Sequence, residues 1–376
     1  MGVTKLACKP KTLVFSCLSL FSLFLLQSVT GRELKCAVII FRHGDRTPLE
    51  GFPNDPHKES DWPQGYGQLT KIGIQAQYEL GLYLRRRYAK FLSFEYKREE
   101  NFFVSTDYDR TIMSSLATLA ALYPPTGNQI WNPHILWQPI PVHVVPLYRD
   151  FIHPPFPGCA RYEKIQNETM ESSIFQKMLP DMKFFHSLAK YTGLDVATLK
   201  YLKNGKALNL YTSLMCKIIH NYPLPSWVTK EILDELNKLS DLTHEAFFGI
   251  YKKNEKSKLQ GGVLVKTILN DLIAATASGN KRKLVAYSAH SPSLAAIQMA
   301  LDIYSGKVPP YTSCHFVELY QDSKGQYTVE MFFRNDTSRK PYPLHLPGCT
   351  HSCPLGRFAE LVSPIIVDDW EKACKE

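Results

Sequence analysis

Beyond residue 31 the chain contains no apolar run long enough to cross a bilayer, and it closes on the polar segment VDDWEKACKE, so no transmembrane anchor is expected. It has no internal repeat, which sets aside solenoids and propellers, and no low-complexity tract. Its positive charge is not concentrated. The formal net charge is +9 over 376 residues, and the densest basic run, YKKNEKSK at 251–258, is interleaved with Glu255 as in a solvated loop. Nothing there calls for a nucleic-acid partner. Acids are missing before Glu33. Lys5, Lys9 and Lys11 precede TLVFSCLSLFSLFLL, and the small residues Val29 and Gly31 follow, the layout of a cleaved signal peptide over residues 1–31. Its removal takes three lysines and no acid, lowering the charge to +6 (9 − 3). A secreted protein is expected, with the lysosomal lumen as the alternative address.

Seven cysteines follow the signal: Cys36, Cys159, Cys216, Cys314, Cys349, Cys353 and Cys374. Export makes disulfides the default, and Cys349 and Cys353 in PGCTHSCP are spaced for a small loop. A zinc site would need a second cysteine pair nearby, which is lacking. The odd count leaves one thiol over. Asn167 (NET) and Asn335 (NDT) are glycosylation sequons.

With 44% apolar residues the chain can bury a substantial core. From Cys36, AVIIF is a continuous apolar run, as expected of a strand covered on both faces. LTKIGIQAQYELGLYLRRRY then places Leu69, Ile72, Ala76, Leu80 and Leu84 at helical spacing, closed by basic residues. FFVST predicts a second strand and RTIMSSLATLAALY a helix stopped by Pro124 and Pro125; LVAYSA predicts a third strand and SLAAIQMALDIYSG a helix ended at Gly306. Strand, loop and helix recur three times, which is the grammar of an α/β fold with a mostly parallel sheet and helices on both faces. The middle of the chain opens with proline-rich aromatic loops and passes into helical patterns. We therefore expect one domain over 32–376, with an α/β core at about 32–125 and 260–376 and a smaller helical cap inserted at about 126–259. The tail around Lys324–Gly325 alternates as a hairpin would.

In open α/β sheets, ligands gather beyond the carboxyl ends of strands, where helix N-termini offer N–H groups to anions. The three junctions here read RHGDRTP, STDYDRT and SAHS, and supply Arg42, His43, Arg46, Arg110 and His290. A lone arginine in a loop is ordinarily a surface ion pair, and a lone histidine ordinarily structural. Three guanidiniums converging on two imidazoles make sense only around an oxyanion, and phosphate matches their fork geometry. Positive neighbours lower an imidazole's pKa, so His43 would stay neutral and nucleophilic in acid. Attack on phosphorus would give a phosphohistidine, later hydrolysed.

RHGDRTP fits R-H-G-x-R-x-P, a pattern expected by chance in about one chain of this length in ten thousand. Together with KESDWPQGYGQLT, NPHILWQPIPVH, LQGGVLV, PPYTSCH and LPGCTHSCPL it resembles the histidine acid phosphatase family, the secreted prostatic type more closely than the lysosomal type, over essentially all of the mature chain. The resemblance implies hydrolysis of phosphomonoesters at acidic pH by an α/β enzyme with a helical cap, commonly a homodimer, without metal or other cofactor. By position it makes His43 the nucleophile and Arg42, Arg46, Arg110 and His290 the phosphate ligands. It also implies disulfides Cys159–Cys374, Cys216–Cys314 and Cys349–Cys353, leaving Cys36 unpaired.

One position departs from the family. Its pattern at the third junction is His-Asp, the aspartate protonating the leaving oxygen; here the residues are His290-Ser291, with no acid in the next ten positions. A hydroxyl is far too weak an acid to replace a carboxyl. General acid catalysis is worth roughly 10²- to 10⁴-fold, and alkyl phosphates need it more than aryl phosphates. The expectation is a slowed phosphatase biased toward aryl esters; the alternative is a pseudophosphatase that binds phosphate esters without useful turnover. As a structural residue, Ser291 would be the N-cap of a helix with Pro292 in its first position.

Overall fold

The computed structural model describes residues 31–375 together with Gly2, so the expected signal peptide lies almost wholly outside the described residues. Eight strands form one sheet: β1 Glu33–Arg42, β2 Asn101–Thr106, β3 His143–Val145, β4 Leu284–Ala289, β5 Cys314–Gln321, β6 Tyr327–Arg334, β7 Tyr342–Leu344 and β8 Cys353–Pro354. Their order is β3-β2-β4-β1-β5-β6-β7, with β8 also paired to β6. From β3 to β1 all pairs are parallel; from β1 to β7 they are antiparallel, including the β5–β6 hairpin that turns at Gly325.

Helices α1 Lys71–Arg87 and α2 Asp109–Leu122 cover one face, and α10 Gly261–Ala275 and α11 Ser291–Ala300 the other. Strand β1 shows why. Alternate residues Ala37, Ile39 and Phe41 pack with Leu80, Leu84, Leu119 and Leu122, while Val38 and Ile40 pack with Leu264, Ile268, Leu294 and Ile297. A strand buried on both faces must be apolar throughout. Each Val, Ile or Phe side chain among them contributes about 1.5–3 kcal/mol on burial.

Between sheet halves run the cap helices α3 Ala160–Glu171, α4 Ser173–Met178, α5 Met182–Thr192, α6 Val196–Lys200, α7 Lys206–Ile219, α8 Lys230–Phe248 and α9 Lys253–Leu259. Helices α3 to α8 share a separate core that includes Phe185, Leu210, Leu236 and Leu239, joined by Phe52 from the loop after β1. Within the stretch expected to be wholly cap, His143–Val145 instead adds an edge strand to the sheet. Pro141 and Pro146 confine it to three residues, because proline cannot donate to a ladder. Near the C-terminus lie α12 Leu355–Val362 and α13 Trp370–Lys375.

Two expectations need correction. Helix α11 stops at Ala300, well before Gly306. Asp302 takes a left-handed conformation (φ 58°), and the N–H groups of Asp302 and Ile303 donate to the carbonyls of Met299 and Gln298, a Schellman closure without glycine. Among the disulfides, Cys159–Cys374 and Cys349–Cys353 are formed, but Cys216 and Cys314 are free, as is Cys36. The Cys216 thiol on α7 donates to the Arg46 carbonyl (3.1 Å), whereas Cys314 opens β5 within the core shared with Phe41 and Phe316. Each thiol thus has its own packing environment, and burial pushes both pKa values up. No helix of the described residues is long and apolar enough to cross a membrane.

Candidate active site

The register of the parallel strands brings three junctions to one edge. Arg42 pairs with Ala289, and Ser105 with Ser288, so β1, β2 and β4 end level. A cavity of about 510 Å³ opens there, lined by Arg42, His43, Arg46, Arg110, His290 and Ser291, with Tyr108, His153 and Tyr311 among them and Asn209, Tyr211 and Met215 of the cap facing them. A larger groove of about 720 Å³ lies on the cap beside Asn167; its lining holds no histidine or arginine. Chemistry, not size, picks the site.

His43 is 3% exposed, and its Nδ1 lies 2.8 Å from the Gly44 carbonyl oxygen. A carbonyl only accepts, so Nδ1 carries the proton and Nε2 keeps a free lone pair. Burial, then Arg110, Arg42 and Arg46, hold the imidazole well below its ordinary pKa. The loop is held by close backbone approach: a Cβ on Gly44 would stand 2.4 Å from the Gly73 carbonyl oxygen, and one on Gly73 would stand 2.2 Å from that of Asp45. Only glycine fits at either place. Gln77 of α1 is fully buried and donates to the Arg42 carbonyl (2.8 Å), while Thr312 N–H donates to that of His43 (3.2 Å).

The arginines are buried, and none of them forms an ion pair among the described residues. Arg42 donates to the Pro309 carbonyl (2.6 Å) and lies over the Tyr311 ring at 4.0 Å. Arg46 donates to the Thr47 carbonyl (3.0 Å). Arg110 lies over Tyr108 at 4.4 Å and approaches His290 Nδ1 at 3.4 Å. The Nε groups of Arg42 and Arg110 are buried with no hydrogen-bond partner among the described residues. Burial above all, together with the neighbouring arginines, lowers the pKa of Arg42 and of Arg110 to about 10. An unpaired buried donor costs roughly 1–3 kcal/mol and a buried charge more. An anion bound among them would remove both penalties.

His290 is fixed by the sheet. Its Nε2 meets Thr106 Oγ1 (2.8 Å), which in turn meets Thr111 Oγ1 (2.9 Å), and its ring stacks on His153 at 3.8 Å. Burial, then His153 and Arg110, hold it well below its ordinary pKa. His153, from the FIHPPFP segment, is itself lowered to about 3 by burial and Arg110. No local pattern singles out His153, Tyr311 or Gln77, whose partners are far along the chain; only the wider likeness of PPYTSCH touches Tyr311.

The carboxylates of the motifs do not replace the missing acid. Asp45 Oδ2 accepts from Thr70 Oγ1 (2.6 Å) and faces His220 Nε2 (2.7 Å), while Asp107 and Asp109 are exposed. Asp302 lies beyond the end of α11 and pairs with Lys253. Ser291 is not the helix cap. His290 occupies that position, with Ser291 and Pro292 as the first and second helical residues, and Ser293 Oγ accepts from the His290 N–H (3.3 Å). Ser291 Oγ instead faces Nε2 of His244 on α8, at 3.2 Å.

Comparison with known proteins agrees with this geometry. The model for the histidine phosphatase superfamily, branch 2, matches residues 33–334. The chain is 51% identical to prostatic acid phosphatase of Homo sapiens over 364 residues, 95% of this chain and 93% of that protein. It is 47% identical to lysosomal acid phosphatase of Xenopus laevis over 348 residues, 92% of this chain and 79% of the other. Among solved structures, Hafnia alvei phytase in complex with tartrate superposes with a TM-score of 0.67 at 17% identity, covering 92% of this chain and 98% of that one, a likeness of fold. The chain belongs to the histidine phosphatase superfamily, branch 2.

Proposed function

We propose that this protein is a secreted acid phosphatase that hydrolyses phosphomonoesters through a phosphohistidine on His43. The observation that carries the reading is the set of three buried guanidiniums without a counter-anion around an imidazole whose Nε2 is free. The phosphoryl group sits among Arg42, Arg46, Arg110 and His290. Nε2 of His43 attacks phosphorus in line with the ester oxygen, and the arginines stabilise charge on the equatorial oxygens. Water then cleaves the P–N bond. Acid suits this chemistry, because His43 stays neutral where an ordinary histidine is protonated.

The name of the relatives, acid phosphatase, supports the reaction class. Secretion is supported by two disulfides and by the exposure of Asn167 and Asn335 in their sequons. A homodimer is supported by apolar side chains left on the surface around the β3 edge, Trp131 (56% exposed), Leu136 (81%) and Tyr148 (79%) among them. With serine in place of the family's aspartate, esters with good leaving groups should be favoured, so aryl phosphates lead alkyl ones. The same substitution favours the second reading, a pseudophosphatase that binds phosphate esters without useful turnover.

Steady-state hydrolysis of p-nitrophenyl phosphate near pH 5, with His43→Ala as blank, separates the two. Turnover well above the blank, with a 32P label trapped on His43, supports the enzyme; a native rate equal to the blank with phosphate still bound supports the pseudophosphatase.

A further inference from the structure

The leaving-group side of the cavity holds a pair that the phosphatase reading leaves unused. Ser291 lines the cavity with His43 and the arginines, and its hydroxyl is not spent on capping α11, whose N-cap is His290 with its N–H taken by Ser293 Oγ. Behind it, away from the cavity, stands His244, completely buried on the cap helix α8. Its Nδ1 is 3.0 Å from the Ser240 carbonyl oxygen, which fixes the proton on Nδ1 and turns Nε2 to Ser291 Oγ. Both nitrogens of this buried imidazole are thus engaged, and Nε2 is engaged by the one side chain that stands where the family has a catalytic acid.

We propose that Ser291 and His244 form a proton relay that takes the place of the missing carboxyl group, Ser291 touching the leaving oxygen and His244 acting through it. This rests on the phosphatase reading above. In the first step His43 Nε2 bonds to phosphorus, the P–O ester bond breaks, and its electron pair goes to the leaving oxygen. That oxygen takes the Ser291 hydroxyl proton, while Ser291 Oγ takes one from the Nε2–H of protonated His244. In the second step water bonds to phosphorus and the P–N electron pair returns to His43. Ser291 Oγ takes the water's proton and passes its own to His244, restoring the imidazolium. Protons balance over the cycle, and no carboxylate is needed.

The relay needs His244 protonated when substrate is bound. The charged groups facing it are Arg42 from the end of β1 and Asp241 from its own helix, the latter bonded to Lys307 and to the Val308 N–H; Ser291, from α11, is neutral. Burial chiefly lowers His244 to about 4 in the empty site. A bound phosphate offsets Arg42 and moves that value up toward the acidic working range. The alkyl-ester rate should therefore fall as pH rises through the His244 pKa in the complex.

The test is kcat for β-glycerophosphate and for p-nitrophenyl phosphate between pH 3.5 and 7, for the native protein, His244→Gln and Ser291→Ala. Glutamine keeps the volume and both hydrogen bonds but cannot carry the proton. We expect either substitution to lower the alkyl-to-aryl ratio at least tenfold and to flatten the alkyl pH profile, with the double variant no worse than the poorer single one. An unchanged ratio and profile in His244→Gln, or an equal fall for both esters, overturns the relay while leaving the phosphatase intact. A native protein that forms no phosphohistidine and hydrolyses neither ester overturns both. Should His244→Gln prove unfolded by circular dichroism, Ser291→Ala decides alone: an unchanged ratio sinks the relay.

Discussion

Two of the three junctions at the cavity are built in opposite ways. At the end of β1, RHGDRTP packs the proposed nucleophile and two of the proposed phosphate ligands into five residues, and its loop is pinned by the Gly44–Gly73 contact, Gln77 and Thr312. At the end of β4, His290 is anchored to Thr106, but the next residue has lost its acid and leans on a histidine 47 positions away, across from the cap. The proposed phosphate grip starts from one local motif with helix and strand support and is completed by Arg110 and His290 from the other two junctions. The leaving-group side is an agreement between two layers of the fold, and it can be rebuilt with other chemistry while the grip stays fixed.

The sharpest way to break this contrast is to remove the nucleophile. His43→Ala should abolish turnover, by about 10⁶-fold if it behaves as nucleophile deletions in other hydrolases do, for alkyl and aryl esters alike. Next comes the grip: Arg110→Ala should cost roughly 10²- to 10³-fold in kcat, again without regard to the leaving group, because it acts on the phosphoryl oxygens. A loss confined to one ester class would place Arg110 on the wrong side of the comparison.

Ser291→Asp sharpens it from the other side. A carboxyl group at that position should raise the alkyl rate by about ten- to a hundredfold and the aryl rate by little, measured with the same two esters at pH 5. If both rates rise equally, the limiting step is hydrolysis of the phosphohistidine rather than departure of the alcohol.

How much of this was legible follows the same division. The strands at 36–41, 102–106 and 284–289, and the five cavity-lining residues Arg42, His43, Arg46, Arg110 and His290, are readable because each depends on its own few neighbours: apolar runs for buried strands, cationic side chains at strand ends for an anion. His244 was not readable. It sits in α8 next to Leu239 and Leu242 in an ordinary amphipathic pattern, and nothing within that helix distinguishes it from a satisfied core histidine. The end of α11 misled because glycine is the usual stop, and here aspartate adopts the left-handed turn. The disulfide Cys216–Cys314 came from likeness alone, and the thiol of Cys216 is committed to the backbone of the phosphate loop instead.

The smallest effect reads His244 without any substrate. Its folded pKa, about 4, lies below the unfolded value near 6.5, so the folded protein binds fewer protons there. The stability this contributes is present above pH 6.5 and is lost as pH falls toward 4. Between pH 6.5 and 5 the loss is about 2 kcal/mol from this group. His43 and His290 shift in the same sense, so the empty site is least stable in the acid where the enzyme works, and a phosphate bound among the arginines should restore it. His244→Gln removes one share of that sensitivity: in thermal melts without phosphate the native protein should lose a few degrees more than the variant between pH 7 and pH 5. Parallel pH dependences would mean that His244 does not titrate in this range, and the proton for an alkyl leaving group would have to come from His290 or solvent.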